Sequence, residues 1–259
     1  MPELAGQERT LESSIDLGLE VLAGEQSTTG AWKGDYGGPL FLVPIYVAGL
    51  HILGAPPVRS VAEGFITYVR GHQNGDGGWG LDVESESFVF TSVLNYVALR
   101  LLGVDPSDPA LVQARTWFLP RGGALASGSW GKLILALLGI YEYDGLQPVS
   151  PELWLLPVAL PVHPSRLWCH CRMVYLPMSY FYGRRARIPD SPLLAALREE
   201  IYPQPYREVN WRAARNRVAW SDRYTPRTAL LGWVHRALGA YERVHLRWLR
   251  RRALNEVLQ

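Results

Sequence analysis

Two stretches of this chain repeat each other. Gln26-Ser-Thr-Thr-Gly30-Ala-Trp32 and Gln73-Asn-Gly-Asp-Gly77-Gly-Trp79 both read Q-x3-G-x-W, and Gln, Gly and Trp are each displaced by 47 residues. Two helices with their loops occupy about 40–50 residues, so this period predicts stacked helical hairpins. Apolar spacing predicts helices over 17–25 and 61–72, ending at Gln26 and Gln73. A Gln at a helix end can offer its amide to unpaired backbone groups there. A Trp one turn away can stack on that amide and exclude water, and the glycines permit the positive φ such a turn needs. Gln26, Gly30, Trp32, Gln73, Gly77 and Trp79 therefore read as structural staples. A degenerate third copy without the Gln lies at Gly122 to Trp130.

The remainder reads as all-α. Phe88, Ser92, Tyr96 and Leu99 share one helix face, and 133–143 is a further apolar helix. Ser191-Pro192 opens a helix over 192–202 as an N-cap followed by Pro in the first turn. Helices over 228–245 and 247–258 complete the set, joined by loops rich in Gly and Pro. The most apolar run, Pro39 to Gly54, is too short to span a bilayer and reads as a buried helix.

Composition narrows the function classes. A net charge of +2, with 19 % charged residues, carries no signature of nucleic-acid binding. Ten Trp and thirteen Tyr imply a large core, a binding cavity or a membrane-interface surface. The two cysteines, Cys169 and Cys171, are too close to bridge each other, which points to a reducing compartment. With only His170 between them they are a weak metal signal. The first residues lack the basic and apolar regions of a secretory signal.

Several motifs, in order along the chain, resemble those of the oxidosqualene cyclases, a branch of the triterpene cyclases. The Q-to-W unit after Tyr68-Val69 matches their QW repeat, while the first copy departs, with Val21-Leu22 in place of the aromatic–aliphatic pair. Trp32-Lys-Gly-Asp-Tyr36-Gly-Gly-Pro-Leu-Phe-Leu and Trp168-Cys-His-Cys-Arg-Met-Val-Tyr175-Leu-Pro-Met-Ser-Tyr180 match two further blocks. Leu94-Asn-Tyr-Val97 and Ser129-Trp-Gly-Lys132 also fit. The resemblance covers the chain from about Leu17.

The resemblance implies a fold of two α–α barrels with a cavity between them. Residues 1–35 would be the first helices of one barrel and 36–259 most of the second, inserted barrel. It implies cyclisation of 2,3-oxidosqualene, or a related isoprenoid lipid, to a lanosterol- or cycloartenol-like sterol through carbocations, with no metal or organic cofactor. Aromatic π faces suit such cations because they stabilise charge without trapping it covalently. Residue by residue, it places Tyr36, Trp130, Trp168 and His170 on the cavity wall. His170 marks a sterol-forming member, and Cys171 and Tyr175 stand at the constriction through which substrate passes. It also implies monotopic association with the endoplasmic reticulum membrane or lipid droplets. The stretch Leu176 to Tyr182 followed by Arg184, Arg185 and Arg187 suits that surface, and suits a buried helix end equally well.

The family's proton donor is the Asp of a D-C-T-A-E motif, and no Asp-Cys pair occurs in this sequence. Asp35, Asp76 and Asp82 lie in loops beside the QW units and lack the buried setting of a strong general acid. The expectation is an N-terminal portion that contributes one cavity wall, relies on a C-terminal part for chemistry and is inactive alone. The alternatives are a non-catalytic truncated isoform or lipid-binding fragment, and, more distantly, a squalene–hopene cyclase. A protein prenyltransferase β subunit would need a zinc-ligand spacing that this sequence does not supply.

Overall fold

The computed structural model describes residues 10–32, 38–160, 163–223 and 228–258. These fall into two compact units, one before and one from Gly38. The described secondary structure is helical except for one two-residue strand pair and two isolated bridges.

The first unit holds α1 (Leu11–Glu25), whose N-cap Thr10 accepts from the Ser13 backbone N–H at 3.2 Å. Beyond α1, Gln26 Nε2 donates to Gly30 O at 2.8 Å and Trp32 Nε1 donates to Leu22 O at 2.6 Å. The second unit contains α2 (Leu42–Ile52) and α3 (Arg59–Gly71), then a turn into the strand pair β1 (Trp79–Gly80) and β2 (Ser87–Phe88). In that turn Gln73 Nε2 donates to Gly77 O at 2.8 Å, and Trp79 Nε1 to Val69 O at 2.7 Å. The donors and acceptors of these Gln and Trp side-chain bonds recur 47 residues apart.

The division of labour differs from the sequence expectation. The indole N–H, rather than the Gln amide, takes a carbonyl in the last turn of the helix. Gln73 instead braces the turn, and its second donor reaches Ala110 O at 2.8 Å. Gly77 has φ +92°, and a Cβ there would stand 2.9 Å from Gln113 O, so only glycine fits. Asp76 closes the loop by accepting from Gly78 N and Ser87 Oγ at 3.0 and 2.6 Å.

The core forms around α4 (Val89–Leu101). Of the predicted face, Ser92, Tyr96 and Leu99 are buried in α4, whereas Phe88 lies in β2 ahead of the helix and is half-buried; every residue from Thr91 to Leu99 is buried, because α2, α3 and α5 (Pro109–Phe118) cover several sides. Next come α6 (Ser129–Leu137), α7 (Cys169–Arg184) and α8 (Pro192–Glu200), where Ser191 Oγ accepts from Leu194 N at 3.3 Å as its N-cap. The chain continues through α9 (Trp211–Ala214), α10 (Ala229–Val244) and α11 (Arg247–Val257). The apolar stretch 133–143 is not one helix: α6 stops at Leu137, and Gly139 turns the chain with φ +72°.

Phe88 precedes α4 without offering a side-chain cap. The cap comes from Asp222, whose buried carboxylate accepts from Val89 N at 2.8 Å and Phe90 N at 2.7 Å. Burial pushes this carboxyl above the usual Asp range, while Ser221 and the two backbone donors act to lower it. Asp222→Ala leaves two buried backbone N–H groups unpaired and is expected to cost about 2 kcal/mol by chemical denaturation. Asp222→Asn, which keeps one acceptor oxygen, should cost less.

Candidate functional site

The W-C-H-C block opens α7. Trp168 is its N-cap residue, in extended conformation, so the helix starts at Cys169 and the block occupies its first turn. Trp168 and His170 stack with ring centroids 4.5 Å apart. Trp168 Nε1 donates to Cys171 Sγ at 3.1 Å, and Cys169 Sγ lies 3.4 Å from His170 Nδ1. Trp168 and His170 are exposed, and Cys171 is half-buried. Local contacts thus hold Trp168, His170 and Cys171 as one polarizable surface group.

Two turns along, Tyr175 and Met178 line an open cavity of about 420 Å³ with Leu231, Val234 and Leu238 of α10. Cys171, Tyr175 and Met178 follow helical spacing along one stripe of α7. Ser129, at the start of α6, lines the same cavity, and among the described residues no Asp, Glu, Lys or Arg does. Trp130, the next residue, belongs to a different cluster. Its half-buried ring meets Phe41 edge-on at 6.4 Å, and Phe41 in turn packs on Phe90 at 5.9 Å. The structure therefore brings Trp168, His170 and Cys171 together, sets Tyr175 on an apolar cavity and leaves Trp130 with other rings. Tyr36, like Asp35, lies outside the described residues.

Buried phenols surround the core behind α7. Burial raises the hydroxyls of Tyr141 and Tyr143 and pushes Tyr182 up to about 12, so all three stay neutral across the physiological range. Sequence reasoning missed the α10 wall. Leu231, Val234 and Leu238 at i, i+3 and i+7 carried the signal, but one stripe cannot tell a core face from a cavity face.

A helical repeat unit with paired Q-to-W turns, and an aromatic histidine-bearing surface beside an apolar cavity, defines a class. The chain belongs to the family described as the squalene-hopene cyclase N-terminal domain, which it matches over residues 15–259. It is 46 % identical over 242 residues to human lanosterol synthase and 47 % identical over 237 residues to that of Mus musculus. It is also 44 % identical over 248 residues to cycloartenol synthase of Dictyostelium discoideum. These alignments take in 92–95 % of the chain but only 32–35 % of the relatives, so the chain spans about a third of their length.

Proposed function

We propose that this chain is the N-terminal portion of a sterol-type oxidosqualene cyclase and forms part of the wall on which 2,3-oxidosqualene is folded. The observation that carries this reading is the Trp168–His170 stack on α7, continued along that helix by Tyr175 on an apolar cavity with no carboxylate among its described lining residues. Cationic cyclisation needs π faces and an absence of carboxylates along the cation's path. In this reading His170 stabilises a late cation and influences where the cascade stops, while Cys171 and Tyr175 narrow the substrate's path. Residues 1–35 belong to one barrel and 36–259 to the inserted one. The proton is delivered by an acid outside this sequence, which contains no Asp-Cys pair. Exposed Leu167, Met173 and Phe181 favour contact with a membrane surface of the endoplasmic reticulum or a lipid droplet.

Exchanging this sequence for the aligned segment of human lanosterol synthase tests the assignment. The chimaera should convert 2,3-oxidosqualene to a tetracyclic sterol detectable by mass spectrometry, and His170→Ala in it should redistribute products toward incompletely cyclised or misdeprotonated skeletons. The purified chain alone should give none. A folded chimaera without product would overturn the assignment. Sterol formed by the chain alone would overturn the external proton donor.

A further inference from the structure

The apolar cavity has a neighbour of opposite character. On the adjoining side of α10 lies a groove of about 560 Å³ that receives Arg212, Arg215, Arg236 and Arg243 and, among the described residues, no carboxylate. Among the described residues, none of these four guanidiniums has an ion pair. Two are held in place by neutral groups. Arg215 Nε donates to Asp144 O at 2.7 Å, and Arg236 lies over the Trp233 ring at 4.4 Å. Gly239 makes room for the arrangement, since a Cβ there would approach Arg215 Nη1 to 3.1 Å.

Gln147 and His235 line both spaces, so the groove and the cavity adjoin. Gln147 is itself fixed, donating to Asn216 Oδ1 at 2.6 Å. Helical spacing explains the juxtaposition: Leu231, Val234 and Leu238 form one stripe of α10, and Gly232, Arg236, Gly239 and Arg243 form the next. Leu231 and Val234 remain substantially exposed at the cavity.

We infer that cavity and groove together bind one anionic amphiphile, with its apolar chain against Leu231, Val234 and Leu238 and a phosphate-type head among the four arginines. Planar guanidiniums recognise phosphate oxygens through paired charge-assisted bonds, and several converging on one groove select a multiply charged head over a carboxylate. The inference goes beyond the cyclase reading, because 2,3-oxidosqualene carries no charge to meet the guanidiniums of the groove.

The full chain, titrated by calorimetry with monomeric dodecyl phosphate, dodecyl maltoside and inorganic pyrophosphate, separates chain from head. Dodecyl phosphate should bind most tightly. Arg215→Gln with Arg243→Gln should weaken it about tenfold or more and weaken pyrophosphate in parallel. Val234→Asp should weaken dodecyl phosphate and leave pyrophosphate unchanged. Thermal melts of each variant identify those that remain folded, and Arg236→Lys serves as a second variant if the double change unfolds the chain. Competition by vesicles of phosphatidylcholine containing phosphatidic acid, but not by phosphatidylcholine alone, would support a membrane lipid as the source of the head. Binding that neither vesicle displaces would support a soluble amphiphile. Dodecyl maltoside binding as tightly as dodecyl phosphate, or affinity unmoved in folded arginine variants, would overturn the site. Either result leaves the cyclase reading standing, which the chimaera tests separately.

Discussion

Trp79→Ala is expected to destabilise the chain by about 4 kcal/mol or more, a large part of the roughly 5–15 kcal/mol that holds a typical domain together. Trp79 is fully buried in the core, where α4 and the strand pair meet. Removing it deletes the largest side chain of that region and opens a cavity which the surrounding helices can only partly close. It also removes the shorter of two hydrogen bonds to Val69 O at the end of α3, leaving that from His72 N at 3.3 Å. Trp79→Phe separates the two contributions. It keeps most of the apolar contact and loses only the indole N–H, so it should cost about 1–3 kcal/mol. Gln73→Ala removes two donors from backbone carbonyls and should fall in the same smaller range. Urea denaturation of the three variants orders them. If Gln73→Ala proved as costly as Trp79→Ala, the amide rather than the indole would be the dominant staple.

The second large effect is expected at Arg250. This buried guanidinium joins Glu152 at 2.5 Å and Glu242 at 2.7 Å, and Ser150 Oγ donates to the same Glu242 oxygen at 2.5 Å. The cluster ties α11 to α10 and to the 3-10 turn at Pro151–Leu155. Arg250→Met leaves two carboxylates facing each other away from water and should cost about 3–5 kcal/mol. Much of that cost is the stranded charge rather than the lost attraction. Adding Glu152→Gln and Glu242→Gln to Arg250→Met should therefore recover a substantial part of the loss. A triple variant as unstable as the single one would show that packing of the Arg250 side chain dominates.

Legibility in the sequence followed the range of the interactions. Q-x3-G-x-W was readable because the two bonds that both copies share, Gln73 to Gly77 O and Trp79 to Val69 O, close within ten residues. Helix starts were readable where the cap is local, as at Ser191-Pro192. The same signal at Asp108-Pro109 marks α5, where Asp108 accepts from Ala110 N at 3.0 Å, and it went unread. The apolar run 133–143 conceals its own break, because a single Gly139 at φ +72° interrupts an otherwise continuous apolar pattern. Long-range pairings left no trace in local pattern. Buried Lys132 donates to Ala214 O and Arg217 O at 2.8 Å, and nothing in its neighbours foretells those partners. The candidate site divides in the same way. The W-C-H-C surface is local to one turn of α7, whereas the cavity beside Tyr175 needs α10, more than fifty residues away.

The cap on α4 bears on the order in which the chain becomes structured during synthesis. Asp222 reaches Val89 across 133 residues. The helix at the centre of the core is thus made on the ribosome long before the carboxylate that completes its first turn. Until Asp222 emerges, Val89 and Phe90 keep their N–H groups in water, and the apolar body of α4 must wait or pack with a frayed end. Closing so long a loop for two hydrogen bonds is entropically costly, so this contact is made late. It acts as a latch on a nearly assembled core rather than as a nucleus for it.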